Sequence, residues 1–394
     1  MSQTYDVLIV GAGVYGTTAA VELSARGYRV ALLDPGPLPH PLAASTDISK
    51  VVRIGYGADE FYMALGEEAL RGWRRWNEEF SEPLYHNVGV TMLARAPMEP
   101  GGYEYESYQL LLKRGHSPER LNTDEISRRF PAWKPGSYVD GFYHSDSGFA
   151  ESGHVIETLL NIAQRQGTTL LPGQTFSAFI ESDNRVTGIR TREGEMFHAD
   201  HVLIAAGAWT PFIVPELMPH MRSTGHPVFH LVPPHPELFT PPNFAVFTAD
   251  VAKTGWYGFP LHPHAKVVKI ASHGVGQLLH PETDARVVTP DDEAHLRAML
   301  RETFPDLADA PIVYTRRCLY NDTKDEDFWI ARHPQREGLT IAAGDSGHGF
   351  KFAPVLGGII SDAVEGRENP WLHRFRWRDI STVTLGKEEA RFHG

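Results

Sequence analysis

Residues 5–34 read YDVLIVGAGVYGTTAAVELSARGYRVALLD. The β-branched run 7–10 enters Gly11-x-Gly13-x-x-Gly16, and Ala19, Ala20 and Leu23 then repeat apolar character at helical spacing. This predicts a strand, a tight turn and a helix that stops at Arg26-Gly27, where glycine suits the left-handed cap position. A second apolar strand, 29–33, closes on Asp34. Each residue type has a reason in dinucleotide binding. Gly11 permits the turn, Gly13 lets the backbone approach a pyrophosphate, and Gly16 lets helix and strand pack closely. The helix N-terminus offers free N–H groups to phosphates. Asp34 stands about 20 residues on, where a carboxylate accepts hydrogen bonds from a ribose. The motif alone serves a nicotinamide or a flavin, and Asp34 disfavours a 2′-phosphate.

Composition sets the class. At 394 residues, 42% hydrophobic and 22% charged, the chain reads as a soluble globular protein with room for two or three domains. A net charge of −12 opposes nucleic acid and anionic membrane surfaces as partners. No run approaches a membrane span, and the apolar start lacks the basic flank of a leader. The last residues, 391–394, read RFHG and are not a peroxisomal tripeptide. One cysteine, Cys318, excludes an intramolecular disulfide and fits a reducing cytoplasm.

Beyond Asp34 a Pro-rich loop leads to AASTDISKVVRIGYG, then to a helix striped by Tyr62, Leu65, Ala69, Trp73, Trp76 and Phe80, read as core. Residues 88–95 predict a strand, and 104–113 and 123–129 predict helices, the second opened by an Asn122/Glu125 capping box. A helix over 157–166 and strands at 168–171 and 187–191 follow. The run 200–206 into Gly207 suggests the chain returning to the first sheet. From 210 to 318, proline clusters punctuate strands at 244–248, 255–259 and 266–271, an antiparallel second sheet. One helix interrupts it, with Thr289 as N-cap, Pro290 in its first turn and Asp291, Asp292 and Glu293 complementing its dipole. Glycine-rich α/β character resumes with a strand at 339–343, where Gly344, Gly347 and Gly349 permit close backbone approach, and a helix from Pro354 to Gly366.

Several later stretches carry a more specific pattern. Cys318-Leu319-Tyr320 before Asp325-Glu326-Asp327-Phe328, the run SGHGFKF at 346–352, and YGFP at 257–260 with Lys269 through His273 resemble the monomeric sarcosine oxidase family of flavin amine oxidases. That family includes N-methyltryptophan, pipecolate and fructosyl amino acid oxidases. The resemblance runs from Tyr5 to about Gly366. It implies an α/β fold in which a Rossmann-type FAD-binding domain (1–85, 149–220 and 319–394) is interleaved with a β-rich antiparallel-sheet substrate domain (86–148 and 221–318).

The resemblance also implies roles. Cys318 is where the family attaches FAD covalently by a thioether, with Arg316 and Arg317 favouring the thiolate. Taken alone, a lone thiol is as well read as a buried hydrophobe. Lys269 matches the lysine above the flavin, a cation that stabilises superoxide character as oxygen takes its first electron. Arg53 and Lys351 match the pair that holds a substrate carboxylate, since two such charges are expensive to bury without an anion. The other reading of Arg53 is an ion pair with Asp47 or Asp59. His273 and Tyr320 match residues that shape the amine pocket. Gly11, Gly13, Gly16, Asp34, Ser45, Thr46, Lys50, Gly344, Gly347, His348, Gly349 and Lys351 complete the cofactor-binding set, His348 as a flavin-side group and not a base. His262 and His264 read as a loop, and no HExxH or paired-cysteine spacing supports a metal.

Lys50 stands where sarcosine oxidases carry arginine, and DISK is closer to the fructosyl amino acid enzymes, which carry an acid where His273 stands. The two cues point apart. The implied substrate is an amino acid with a secondary amine and a small or cyclic N-substituent, with molecular oxygen as acceptor and a monomer as the working unit. Fructosyl amino acids and pipecolate are the alternatives. A nicotinamide dehydrogenase, a non-catalytic flavoprotein and a dehydrogenase passing electrons to a carrier are the rivals.

Overall fold

The computed structural model describes residues 4–383. The expected domain limits at residues 1 and 394, and the tetrapeptide 391–394, lie outside the described residues. An eight-stranded sheet is built around the opening strand Thr4–Val10, which pairs in parallel with Val30–Asp34 on one side and Met196–Ile204 on the other. Thr169–Pro172 extends it beyond Val30–Asp34, and Leu339–Ala343 pairs in parallel with Met196–Ile204. The return of the chain at 200–206 is therefore as read. Helix Val14–Ala25 follows the glycine turn and ends at Arg26, with Gly27 at φ +90°. A Cβ on Gly16 would strike the Gly11 carbonyl, which is why helix and strand can approach only with glycine there.

The second sheet has nine strands and carries Met221–Leu231 and Ile312–Thr323 as its longest pair. It is antiparallel with one exception, Val246–Ala249 alongside Val90–Ala94. Those strands come from separate excursions of the chain, so a long connection can set them in parallel where a hairpin cannot. The strand Ile312–Thr323 belongs to this sheet along its length, so the expected boundary between 318 and 319 falls inside a strand. A small third sheet joins Lys50–Val52, Tyr85–His86 and Gly148–Ala150.

Local signals are realised where the chemistry is explicit. Asp59 caps helix Glu60–Glu79 through the Tyr62 amide at 3.0 Å, and Tyr62, Leu65, Ala69 and Trp73 are buried as the stripe predicts. Asn122 and Thr289 both form complete capping boxes. Helix Ala353–Glu365 ends on Gly366 at φ +71°. Trp73 does more than fill space, since its indole N–H donates to the Lys351 carbonyl at 2.7 Å. Among the described residues no helix is long and apolar enough to cross a membrane.

Candidate active site

Strands from the start and the middle of the chain meet at the glycine turn. Gly11 adopts φ +104°, and a Cβ there would lie 2.5 Å from the Ala205 carbonyl oxygen. Gly13 caps the first helix, and the nearest atom to a Cβ on it is Ser45 Oγ at 3.4 Å, which leaves room for a ligand against the backbone. Ser45 accepts the Val14 N–H at 2.9 Å, and Thr46 ties its own turn by donating to His40 O at 2.7 Å. Asp34 is buried and accepts the Ala12 N–H at 3.0 Å and the Gly36 N–H at 3.2 Å; burial raises its carboxyl despite those bonds. It is therefore fixed beside the turn with further lone pairs available for a ribose.

The C-terminal glycine loop closes on this turn from the other side. Asn321, buried on the Cys318 strand, accepts the Gly344 N–H at 2.8 Å and the Ser346 N–H at 3.1 Å. Gly347, at φ +71°, lies against the Tyr320 ring, where a Cβ would clash. A Cβ on Gly349 would sit 2.9 Å from the Tyr15 hydroxyl. That hydroxyl is buried and has no hydrogen-bond partner among the described residues, and burial holds its phenol well above its ordinary value. A buried O–H without an acceptor is costly unless a ligand supplies one. The open Gly13 face and the orphaned Tyr15 donor both fit a bound FAD.

Cys318 is buried in the second sheet, paired in register with His226. Alternation along a strand puts Arg316, Cys318, Tyr320 and Asp322 on one face. Lys50, Lys269, Arg286 and Arg316 all couple electrostatically to the sulfur. Burial works against the charge of Lys50, yet Cys318, Asp47 and Tyr257 leave it raised overall. Arg316 anchors the 41–43 loop, donating to Ala43 O at 3.0 Å. Arg317 is a correction. It points to the opposite face, ion-paired with Asp292 and bonded to Val287 O at 2.8 Å, so it supports the helix Pro290–Thr303 and not the thiol.

Lys269 is not a surface residue. It is 1% exposed, with Nζ 2.6 Å from Asp47 Oδ2 and 2.5 Å from Ser49 O, over the Phe259 ring. Burial lowers it to about 8, against the pull of Asp47. Asp47 is itself held well below the usual carboxylate range: burial opposes its charge, and Lys269, His230, Lys50 and Arg316 overcome that. Sequence spacing carries no sign of this partner, 222 positions away, because the two meet only where strand Val268–Ser272 comes against the segment just before Lys50–Val52.

Arg53 and Lys351 converge on a residue that sequence reasoning missed. The Arg53 guanidinium lies 4.9 Å and Lys351 Nζ 5.3 Å from the Tyr56 ring centre. Lys351 also donates to His348 O at 2.7 Å. Asp59 is engaged by Arg374 at 2.6 Å and Asp47 by Lys269, so both acids weighed as partners of Arg53 serve other cations. His348 Nε2 donates to Glu326 O at 3.0 Å, which leaves Nδ1 to accept the Tyr56 hydroxyl at 3.2 Å. Tyr320 stacks on His226 at 4.0 Å, bonds the Tyr257 hydroxyl at 3.3 Å and lies 5.7 Å from the His273 ring. Thr224 joins His226 at 3.0 Å to Asp322 at 2.5 Å. His226 and Asp322 were also missed, although alternation from Cys318 pointed to Asp322. His262 and His264 lie in a loop, as read; His262 donates to Ile48 O at 3.2 Å and, with His86, His154 and His264, surrounds the buried Glu151.

The fold and this arrangement define a flavin-dependent amine oxidase. The profile of the family described as FAD dependent oxidoreductase matches residues 6–363, and the chain belongs to that family. Within it the chain falls in the sarcosine-oxidase-like group. It is 31% identical over 371 residues to the N-methyl-L-tryptophan oxidase of Salmonella typhimurium, covering 92% of this chain and 95% of that protein. It is 29% identical over 416 residues to the L-saccharopine oxidase of Schizosaccharomyces pombe, covering 96% and 94%. Among solved structures it superposes on the deglycating fructosamine oxidase Amadoriase II of Aspergillus fumigatus with a TM-score of 0.84 and 26% identity, covering 100% of this chain and 94% of that one.

Proposed function

We propose that this protein is an oxidase of amino acids carrying a secondary amine, with molecular oxygen as acceptor and hydrogen peroxide as product. The observation that carries this reading is the convergence of Arg53 and Lys351 on the Tyr56 ring, two cations placed to hold one carboxylate. The relatives named above oxidise substrates of this kind by their names, which supports the class without choosing its member.

FAD, bound along the Gly11–Gly16 turn and the 344–349 loop, supplies the two-electron redox chemistry. The chain supplies position and charge. Arg53 and Lys351 fix the carboxylate, so that Tyr320, His273 and Tyr257 border the amine. The burial of this region favours binding of the neutral amine. Lys269, kept cationic by Asp47, offers positive charge where oxygen accepts electrons. Cys318 would hold the flavin through a thioether, beside the cations Lys50 and Arg316. We assign 1–85, 149–220 and 319–394 to the cofactor domain and 86–148 and 221–318 to the substrate domain, with the Cys318 strand spanning both. The single buried cysteine supports a cytoplasmic setting, and the working unit is a monomer.

A second reading, a polyol-bearing N-substituent as in fructosamines, is favoured by the buried polar row Asp322, Thr224 and His226 beside Tyr320. A peroxide-coupled screen across sarcosine, N-methyltryptophan, pipecolate, saccharopine and fructosyl amino acids tests both. Peroxide with any of them supports the class and ranks its members. Neither peroxide nor bleaching of the flavin with any secondary amine refutes it.

A further inference from the structure

Away from the flavin region, the side chains of His116, the buried His144 and the exposed Asp146 converge at the edge of a surface groove. His116 follows helix Tyr103–Lys113, His144 ends strand Asp140–His144, and Asp146 lies in the turn beyond it. One ligating atom from each lies within 4.8 Å of the other two. We propose that His116, His144 and Asp146 form a binding site for a divalent ion of the zinc type.

Two imidazoles and one carboxylate are the donor set of a three-ligand site whose fourth position is water. Nitrogen donors select zinc-like ions over magnesium or calcium. Each imidazole is already held through one nitrogen, His144 Nδ1 by Ser147 Oγ at 3.0 Å and His116 Nε2 by Glu67 Oε1 at 2.9 Å. That leaves one ring nitrogen apiece to ligate. The Glu67–His116 bond is the carboxylate–histidine pairing that orients metal ligands, and Arg114 clamps Glu67 in turn at 2.8 and 2.6 Å.

The site is also reachable. It opens into a groove of about 260 Å³ bordered by Glu67, Arg71, Arg74, Arg114, His116 and Asp146. Asp146 is held by Arg74 at 3.0 Å with both side chains half exposed, a surface contact that a divalent ion can replace. The arginines reduce the affinity below that of a closed four-ligand site. Because Glu67 sits on helix Glu60–Glu79, the ion links strand Asp140–His144 of the second sheet, through His116, to the helix that follows Arg53 and Tyr56.

Chelator-treated, FAD-loaded protein titrated with zinc chloride by calorimetry tests this. The expected result is one ion per chain, a raised midpoint of thermal unfolding, and no response to magnesium. His116→Gln and Asp146→Asn, both at the groove, should each weaken binding by about tenfold or more. His295→Gln, an exposed histidine on helix Pro290–Thr303, should change nothing. No zinc binding by the wild type, or equal binding by the His116→Gln/Asp146→Asn double variant, overturns the proposal.

Discussion

Asp47→Asn tests the proposed part of Lys269 in the reaction with oxygen. Lys269 sits at about 8 instead of its ordinary 10.5 because burial outweighs the attraction of Asp47 2.6 Å away. Removing an opposite charge at that range lowers a lysine by about one to three units more. At pH 7.5 the protonated fraction then falls from roughly three quarters to a few per cent for a shift of about two units, a loss on the order of tenfold or more. The assay is stopped-flow reoxidation of substrate-reduced enzyme across pH. In the wild type the rate should fall as pH rises through about 8; in Asp47→Asn that fall should move down by at least about one unit. Flavin reduction by substrate should change far less. An unshifted reoxidation profile refutes the link between Asp47 and the charge of Lys269. Stability gives a second check. The folded value of Lys269 lies below its unfolded one, so its charge costs stability below about 8, a cost relieved as pH rises from there towards 10.5. For Asp47 the sign is reversed, and its contribution is lost as pH falls below the usual carboxylate range. Breaking the buried pair should cost about 3–5 kcal/mol, and Asp47→Asn/Lys269→Met should be less destabilised than the two single changes added.

Other expectations follow from the same geometry. Acid-precipitated wild type should keep its yellow colour in the pellet on a peptide containing Cys318, whereas Cys318→Ser should release it; colour in the wild-type supernatant counts against the thioether. Arg53→Ala should raise the Michaelis constant for amino acid substrates by about 10- to 100-fold, the worth of a charged hydrogen bond, and much less for an uncharged amine; an equal effect on both removes the carboxylate role. Gly347→Ala places a Cβ at φ +71° against the Tyr320 ring and should cost about 1–3 kcal/mol in denaturant unfolding, with weaker flavin retention. Catalytic efficiency should rise with pH through the pKa of the amine substrate, and a flat profile from neutral to alkaline pH contradicts binding of the free amine.

Much of this was legible in the chain, and the reasons divide cleanly. Gly11, Gly13 and Gly16, the Asn122 and Thr289 boxes and the stop at Gly366 act through bonds within a few residues, so sequence spacing encodes them. Arg53, Lys269, Cys318 and Lys351 were legible by resemblance, as positions without surroundings. What stayed hidden was pairing across distance. Asp47 needs Lys269, Tyr56 needs two cations from opposite ends of the chain, and His226 meets Cys318 only through strand register. Arg317 was misjudged because adjacency in sequence is opposition in a strand.

That register has a consequence for how the protein matures. The ladder between Met221–Leu231 and Ile312–Thr323 runs from Met221↔Thr323 to Leu231↔Ile312. A slip of one residue would turn Cys318, Tyr320 and Asp322 together to the far face of the sheet. A misaligned chain therefore cannot present a thiol to the cofactor at all. If the flavin is bonded there, each yellow molecule certifies its own folding, and covalent incorporation becomes a quality mark stamped only on correctly aligned copies.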